Sequence, residues 1–393
     1  KEILEKNLTK KDRVNIMIKI AIYVAKMNAG GQKSLVMEYF RHIDKSNIQI
    51  DFIFDDDSNA IPDVEINILG GKVFCIRPYQ NIVGNMVDMY KLCKTNKYDI
   101  FHAFNSTINV FSIFAAKLAG VPVRINESLS MAHVGEFKTI IKELLRPLSK
   151  YFATNLVACG EACGRWQFGN KLFDEGKVTI FKTVINTKAN AFNPMLREKT
   201  RKELNLTNKI VIGHIGRFVP QKNPLFMLDV FSEICKIENK AVLLLIGDGK
   251  LKSDILKKIE QLGIKDKVLY LGRREDIYQF YNVMDAFLLP SLYEGLPVVG
   301  LEAQSCGLPT FFSSEVTVEA RACELGYFIN LCTPISSWAN DILSAIYKNM
   351  PIRQNRASDV AAAGFDSIVE SQRLKQYYIE MFDMNCRRDG MKK

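Results

Sequence analysis

Short apolar runs that each precede a helical pattern recur along the whole chain, and this alternation constrains the fold more than any other feature. The run Ala241–Gly247, rich in leucine and isoleucine, has the length and composition of a strand that is buried on both faces. Strands of that kind belong to parallel sheets whose connections are helices. The pattern therefore predicts an α/β fold with helices on both faces of parallel sheets.

One series of alternating strands and helices lies in each half of the chain. The chain has 393 residues, and this length suits two domains. In the first half we expect strands at Val14–Ala25, Ile48–Phe54, Val73–Ile76, Ile100–Ala103, Val121–Ile125 and Leu156–Ala158, with a first helix at Gln32–Ile43. In the second half we expect strands at Ile210–Gly216, Ala241–Ile246, Val268–Leu271, Ala286–Pro290, Thr310–Ser313 and Gly326–Ile329, and helices at Pro224–Ile237, Leu251–Gln261, Ile277–Val283, Pro297–Cys306 and Ser336–Lys348. We expect two Rossmann-like domains, 12–185 and 201–365, joined by a linker, 186–200, and followed by a closing helix and basic tail, 366–393.

The formal net charge of +10 indicates an acidic partner, such as a nucleotide, a membrane surface or a nucleic acid. No helix-turn-helix, finger or aromatic-basic platform stands out in the sequence, so we do not expect a nucleic-acid partner. The nine cysteines lack the companions of a zinc site. We interpret them as reduced, mostly buried thiols in a cytoplasmic protein, and we expect no metal site.

A pair of cations lies on the loop after the first strand of the second half. Gly216 allows the backbone to turn at the strand end, and Arg217 and Lys222 follow it. Pro224 suits the first turn of the next helix. Cations on a strand-to-helix loop near a helix N-terminus can bind a diphosphate, although two solvated surface cations would give the same pattern.

A pair of carboxylates flanks the start of a later helix. Glu294 lies on the loop that follows the apolar strand ending at Pro290, and Glu302 lies on the helix that Pro297 begins. Carboxylates accept hydrogen bonds from hydroxyl groups. Together with the two cations, this pair favours a ligand with many hydroxyls and a diphosphate, which describes a nucleotide-sugar. The alternative is a helix cap with two solvated glutamates.

The ordered set of motifs resembles glycosyltransferase family 4, whose members are retaining enzymes of the GT-B fold. The motifs in the second half are E-G-L-P-x4-E at Glu294–Glu302, G-R-F-x3-K-N at Gly216–Asn223 and the segment Ile246–Gly249. In the first half, Asp99–Phe104, Ala115–Arg124 and Ala158–Ala162 are similar to members that build bacterial capsular polysaccharides and exopolysaccharides. The resemblance covers nearly all of the chain, and it implies two Rossmann-like domains with a cleft between them.

The resemblance also implies roles for individual residues. Arg217 and Lys222 would neutralise the diphosphate in place of a metal ion, Glu294 would hold hydroxyls of the donor sugar, and Glu302 the ribose hydroxyls. The remaining expected contacts are Gly295, Leu296 and Pro297 at the phosphate and sugar site, Gly272 and Arg273 by the base, and Gly30 and Gly31 at the donor phosphates or the acceptor, with Gly216 on the phosphate loop.

Three positions keep two interpretations each. Many family members carry a histidine shortly after the strand that matches Val121–Ile125; here Glu127 lies near that place and His133 further on, and a capped helix start at Ser128 or Ser130 is the structural alternative. His102 could bind substrate or be a packed strand-end histidine. Asp248 could contact the ligand or cap the next helix.

A basic amphipathic segment lies in the first half, where Lys138, Lys142, Arg146 and Lys150 recur at every fourth residue beside apolar side chains. Such a helix can lie on an anionic membrane, although it can also be an ordinary surface helix, and Pro147 interrupts it. We therefore expect a cytoplasmic protein, with binding at the inner face of the membrane as the alternative.

These observations predict a metal-independent glycosyltransferase that needs no cofactor, because the nucleotide-sugar is its substrate. We expect a UDP-sugar donor, a saccharide or lipid-linked saccharide acceptor, and a product in bacterial surface polysaccharide or exopolysaccharide. The alternatives are a sugar-nucleotide epimerase or a phosphorylase of the same fold, and a non-catalytic nucleotide-sugar-binding scaffold. A Rossmann dehydrogenase is not expected, since Asn28–Gln32 does not supply its glycine motif.

Overall fold

The computed structural model describes residues 17–27, 31–129, 137–349 and 353–391, with side chains for all of these except 137–139 and 388–391. The described residues form two compact units. Unit 1 comprises the chain up to Lys182 together with the residues from Ile368 onward, and unit 2 comprises Thr183–Ser367. The C-terminal residues therefore pack in the unit that the first half of the chain forms.

Unit 1 is built on a parallel sheet with helices in the connections. Its described strands are β1 (Ile18–Val24), β2 (Ile48–Asp55), β3 (Lys72–Ile76), β4 (Ile100–Ala103), β5 (Val123–Ser128), β6 (Asn155–Ala158) and β7 (Val178–Ile180), in the sheet order β3-β2-β1-β4-β5-β6-β7. Its helices are α1 (Gly31–His42), α2 (Asp63–Ile68), α3 (Ile82–Asn96), α4 (Asn109–Leu118), α5 (Phe137–Leu145), α6 (Glu161–Phe168), α7 (Asn170–Asp174) and, from the C-terminal end of the chain, α15 (Ser367–Met391).

Unit 2 repeats this architecture with a sheet of six described strands. They are β8 (Ile210–Ile215), β9 (Ala241–Ile246), β10 (Val268–Tyr270), β11 (Ala286–Leu289), β12 (Thr310–Ser313) and β13 (Gly326–Ile329), in the order β10-β9-β8-β11-β12-β13, and all neighbours pair in parallel. The helices are α8 (Pro194–Glu203), α9 (Pro224–Ile237), α10 (Lys252–Gln261), α11 (Ile277–Val283), α12 (Val298–Ser305), α13 (Ile335–Asn349) and α14 (Ala357–Val360).

Burial on both faces of the sheet explains why the central strands are apolar throughout. In β9, the consecutive residues Leu243, Leu244 and Leu245 are all fully buried, and they point alternately to opposite faces. Leu243 and Leu245 belong to a core that includes Trp338 of α13, and Leu244 belongs to a second core on the other face. The prediction of an α/β fold with two Rossmann-like parts is confirmed.

Several local predictions differ from the structure. The linker predicted at 186–200 contains the first part of α8, and the strand β7 was not predicted. The strand predicted at Val121–Ile125 extends to Ser128, so Ser128 does not begin a helix, while Ser130 lies outside the described residues. None of the nine cysteines, which all lie among the described residues, forms a disulfide, but only four are buried, and Cys75, Cys332 and Cys386 are exposed, so the expectation of mostly buried thiols was wrong.

Candidate functional site

The loops that carry the predicted residues of unit 2 all follow parallel strands and therefore lie at the same edge of the sheet. Gly216 follows β8, Gly247 follows β9 and Gly272 lies shortly after β10. The Gly216 N–H donates to the carbonyl of Ile246 at 3.0 Å, and the Gly247 N–H donates to the carbonyl of Gly272 at 2.9 Å. Ligands of open parallel sheets bind at this carboxyl edge.

Two glycines after β9 allow the backbone to pack tightly against the loop after β8. Gly247 has φ of +148°, and a Cβ atom there would lie 1.9 Å from the carbonyl oxygen of Gly216. Gly249 has φ of +154°, and its Cβ would lie 2.6 Å from the carbonyl oxygen of Phe218. Neither position can carry a side chain without moving backbone, so the two loops hold each other in place.

Lys222 and Glu294 form a buried ion pair at this edge. The Lys222 Nζ lies 2.5 Å from the Glu294 Oε1, and the two side chains are only 12% and 9% exposed. The Leu292 N–H donates to the Gln221 carbonyl at 2.8 Å, and the Gln221 side chain donates to the Tyr293 carbonyl at 3.1 Å. These bonds join the two loops, so residues 72 apart in the sequence meet in space as the motifs predicted.

Arg217 has a different environment from Lys222. It is exposed, and it forms no ion pair with any described carboxylate. Its guanidinium therefore remains free to bind an anion at the same edge, whereas the Lys222 ammonium is already neutralised by Glu294. A planar group with several donors suits a diphosphate.

Glu302 is held by a buried tyrosine. It lies on α12, and its Oε2 accepts a hydrogen bond of 2.7 Å from the Tyr281 hydroxyl. Burial, and secondarily the charge of Glu302, raise the pKa of Tyr281 well above its ordinary value, so the hydroxyl stays protonated and donates. The N-terminal part of α12 lies close to β12, since a Cβ on Gly300 would come within 2.5 Å of the Phe312 ring.

The other predicted residues of unit 2 occupy the same loops. Gly295, Asp248 and Arg273 are exposed, Leu296 and Gly272 are partly buried, and Pro297 is buried directly before α12. The side chain of Asp248 accepts the N–H of Gly249 at 2.9 Å, whereas α10 has no side-chain cap. The alternative that Asp248 caps the next helix was therefore wrong.

His214 is a residue that the sequence analysis missed. Its ring is fully buried on β8, and its Nδ1 lies 2.9 Å from the carbonyl oxygen of Leu288, while its Nε2 has no hydrogen-bond partner among the described residues. Burial lowers the pKa of His214 to about 4, so the ring is neutral. The sequence signal that could have identified His214 is a polar residue within the otherwise apolar strand β8.

Ser291 lies two residues after the end of β11, and its Oγ is likewise buried with no partner in the described part of the chain. A Cβ on Gly216 would approach the His214 Nε2 to 3.4 Å and the Lys222 Cδ to 3.8 Å, so both side chains lie close to this glycine. Buried polar atoms without partners are uncommon in proteins. These two atoms and the ion pair of Lys222 and Glu294 make the carboxyl edge of unit 2 more polar than a protein interior usually is.

In unit 1 the structure brings His102 and Glu127 together. His102 of β4 pairs with Ile125 of β5, two residues before Glu127, and the His102 Nε2 lies 2.8 Å from the Glu127 Oε2. The His102 Nε2 makes no aligned hydrogen bond with a described residue, so this is a close approach of a ring nitrogen to a carboxylate oxygen and not a hydrogen bond. The other ring nitrogen lies 2.8 Å from the Tyr378 hydroxyl of α15.

This cluster is packed inside unit 1. His102 and Tyr378 are fully buried and Glu127 is 2% exposed, so His102 is a packed histidine, as one of its two interpretations states. Glu127 lies within β5 and not on a loop after it, which corrects its expected place. Burial, and then the charge of Glu127, raise the pKa of Tyr378 well above its ordinary value. Gly31 begins α1 and is exposed, while Gly30 and His133 lie outside the described residues.

Comparison with known protein families gives two matches. Residues 197–346 match the family described as "Glycosyl transferases group 1", and residues 26–158 match the family described as "Glycosyl transferase 4-like". The first match contains all predicted residues of unit 2, and the second contains the predicted residues of unit 1.

Individual relatives extend the similarity over most of the chain. The chain is 33% identical over 350 residues to EpsF of Bacillus subtilis (strain 168), which is named as a glycosyltransferase, and the match covers 87% of this chain and 91% of EpsF. It is 29% identical over 314 residues to the UDP-Gal:alpha-D-GlcNAc-diphosphoundecaprenol alpha-1,3-galactosyltransferase of Escherichia coli, covering 76% of this chain and 79% of that enzyme.

The crystal structure of Anabaena HepE in complex with UDP is similar in fold. It superposes with a TM-score of 0.74 at 18% sequence identity, and the match covers 93% of this chain and 100% of HepE. The GT-B fold predicted from the sequence is therefore confirmed.

Proposed function

Since this chain belongs to the group 1, family-4-like glycosyl transferases, we propose that it moves a sugar from a nucleotide-diphosphate sugar to a saccharide hydroxyl. The single observation that carries the proposal is the buried pair of Lys222 and Glu294 at the carboxyl edge of the unit 2 sheet. A cation for a diphosphate and a carboxylate for hydroxyl groups lie 2.5 Å apart at the place where such sheets bind ligands.

The buried ion pair holds both side chains ready for a donor. Removing two charges from water is unfavourable unless each finds a partner, and here each partner is the other. When a diphosphate approaches, the Lys222 ammonium gains a second anion and Glu294 can accept hydrogen bonds from sugar hydroxyls. Arg217, which lacks a carboxylate partner among the described residues, adds a further charge for the departing diphosphate.

We propose a UDP-sugar as the donor and a lipid-linked saccharide as the acceptor, in polysaccharide biosynthesis. HepE, with a similar fold, has been crystallised with UDP and with UDP-glucose. The Escherichia coli relative is named for a UDP-Gal donor and a diphosphoundecaprenol-linked acceptor. We further propose that the transfer retains anomeric configuration and needs neither metal nor cofactor, because Arg217 and Lys222 supply the positive charge.

The test is a Glu294→Gln variant in an assay of sugar transfer from a panel of UDP-sugars, with a chelator present throughout. The amide keeps the size of the side chain but removes its charge and replaces one accepting oxygen with a donating NH2 group. We expect transfer to fall about 100-fold, because a preorganised polar contact to the reacting sugar is lost. UDP binding, measured by calorimetry, should persist, since UDP carries no transferred sugar.

Glu319→Gln serves as the matched control, because Glu319 is exposed in the same unit and lies on a different loop. The control should transfer sugar at the wild-type rate. Equal activity of the Glu294→Gln and wild-type proteins would contradict the proposed role of the pair. Loss of wild-type activity on adding the chelator would contradict metal independence.

We also propose that helix α5 contacts an anionic membrane surface. Ile140, Ile141 and Leu144 are 66%, 48% and 75% exposed, and Lys142 and Arg146 lie on the same segment. Apolar residues beside basic ones match the headgroup region of an anionic bilayer. None of the described helices is long and apolar enough to span a membrane.

Co-sedimentation with phosphatidylglycerol vesicles checks this proposal. We expect the double substitution Ile140→Ser and Leu144→Ser to lower vesicle binding several-fold, because buried apolar area is lost. Ile68→Ser is the control, since Ile68 is 80% exposed on α2. Equal loss of binding in both variants would contradict a specific role for α5.

A further inference from the structure

Unit 2 has a groove at the edge of its sheet opposite to the carboxyl-edge loops. The groove has a volume of ≈ 660 Å³, and its lining includes Ile210, the first residue of β8. It is also lined by α8, by Lys240 just before β9, and by Tyr347 of α13. At about 3.3 Å per residue, the length of β8 separates this edge from Gly216 by roughly 20 Å. The groove is therefore a separate place from the site described above.

The lining of the groove is basic. Its cationic residues are Arg197, Arg201, Lys202, Lys209 and Lys240. Arg197 and Arg201 both bind the carboxylate of Asp285, whose side chain is 1% exposed, and Lys202 lies 2.8 Å from Glu198. These three cations therefore all have a carboxylate partner, although the two arginines share one.

Lys209 and Lys240 are the cations that remain. Both are exposed, and neither has a carboxylate within ion-pair distance among the described residues. Lys209 directly precedes Ile210 and Lys240 directly precedes Ala241, and these two strand residues are paired in the sheet. The Ile210 N–H donates to the Lys240 carbonyl at 3.1 Å. Neighbouring strands lie about 4.8 Å apart, so the two lysines extend from adjacent backbones at this edge. An anion bound in the groove can therefore meet both positive charges.

Tyr347 adds an aromatic ring to the same groove. Its side chain is 52% exposed, and its hydroxyl donates to the Glu238 Oε2 at 2.6 Å. Glu238 also accepts the Lys240 N–H at 2.8 Å. The hydrogen bond from Tyr347, followed by that from Lys240, lowers the pKa of Glu238, so this carboxylate stays ionised and holds the tyrosine. A half-exposed ring held in this way can pack against a sugar ring.

We propose that this groove binds an acidic saccharide, with Lys209 and Lys240 on its carboxylate or phosphate groups and Tyr347 against a sugar ring. The choice of a saccharide rests on the proposed function, because the enzyme would hold part of the polymer that it extends. Thr207 and Asn208, which also line the groove, supply partners for sugar hydroxyls.

The test is isothermal titration of the full-length protein with tetragalacturonate, and with maltotetraose as the neutral α-1,4-linked counterpart. We expect tetragalacturonate to bind at least about tenfold more tightly than maltotetraose, since only the former carries charges for the lysines. The double substitution Lys209→Ala and Lys240→Ala should weaken tetragalacturonate binding about tenfold or more, and Tyr347→Ala should also weaken it.

Lys188→Ala combined with Lys257→Ala is the matched control, because it removes the same charge from exposed positions of unit 2 outside the groove. The control should bind tetragalacturonate as the wild type does. Equal loss in both double variants would overturn the proposal, since net charge alone would then explain binding. Competition between UDP and tetragalacturonate would also overturn it, because the acid would then occupy the carboxyl-edge site.

Failure of this proposal can be distinguished from failure of the proposed function. Lysine-dependent binding of tetragalacturonate by a protein that transfers no sugar would leave the groove as a saccharide site and overturn the transferase. Sugar transfer by a protein whose groove variants bind tetragalacturonate normally would overturn the groove alone.

Discussion

His214 illustrates how the carboxyl edge of unit 2 differs from an ordinary protein interior. Its Nδ1 contacts the Leu288 carbonyl, its Nε2 has no partner within the described ranges, and the cation of Lys222 lies nearby. A protonated ring would be fully buried beside another positive charge. The fold therefore stabilises the neutral ring, and it does so at a cost that depends on pH.

The stability of unit 2 should fall as the pH is lowered from about 6.5 to about 4. Burial lowers the pKa of His214 in the folded state, so over this range the unfolded chain binds a proton that the folded one does not. The stabilising contribution is present above pH 6.5 and is lost as the pH approaches the folded-state pKa of about 4. In His214→Gln, which does not titrate, up to roughly 3 kcal/mol of this pH dependence should disappear.

Urea unfolding of both proteins between pH 4 and pH 7.5 measures the difference. Parallel pH profiles for the wild-type and His214→Gln proteins would show that His214 is not the group responsible.

At the scale of residues, contacts could be predicted from the sequence only for residues that belong to a recognised motif. Lys222 and Glu294 each follow a strand of one parallel sheet, so their approach could be inferred from the edge rule. The contact between His102 and Glu127 could not, because it depends on β4 and β5 being neighbours and on their register. Register is a long-range property that a local pattern does not contain.

Among secondary-structure elements, those with strong terminal signals were predicted most accurately. The helix Pro224–Ile237 and the strand Ala241–Ile246 were predicted with the bounds that the structure has, because proline begins the helix and an unbroken apolar run forms the strand. The strand β7 was not predicted because its three residues include a central threonine, so no apolar run marks it. Helix α8 was interpreted partly as linker because its surface is highly charged.

The start of α8 nevertheless carries a capping signal, and removing it should destabilise unit 2. The Asn193 side chain accepts the N–H of Leu196 at 3.1 Å, directly before Pro194 at the first helical position. Asn193→Ala leaves that N–H without its partner, and we expect a loss of about 1 kcal/mol in the free energy of unfolding. Asn193→Asp should retain nearly full stability, and chemical denaturation measures both. Equal losses in the two variants would show that the cap contributes nothing.

At the scale of the whole molecule, the position of an element along the chain does not always tell in which unit it packs. Helix α15 follows all of unit 2 in the sequence, yet its residues from Ile368 onward belong to unit 1. There the Ser371 hydroxyl donates to the Tyr39 carbonyl at 3.2 Å, and Tyr378 meets His102. The sequence predicted a closing helix at 366–393, but helical periodicity does not reveal which sheet a helix packs against.

Truncation after Ser367 should therefore destabilise unit 1 and spare unit 2. It removes the buried residues Leu374 and Tyr378 and leaves His102 and Glu127 without cover. Loss of two large buried side chains costs several kcal/mol, a large part of a domain's stability. We expect limited proteolysis of the truncated protein to degrade unit 1 first. Truncation after Arg387 is the control and should resist proteolysis as the intact chain does.

The late position of α15 also affects how the protein is made. The residues up to Lys182 are translated well before Ile368, so unit 1 lacks its last helix while unit 2 is being synthesised. During that time, the surface of unit 1 that α15 covers stays exposed. Unit 1 can therefore complete its packing only after the whole of unit 2 has been translated.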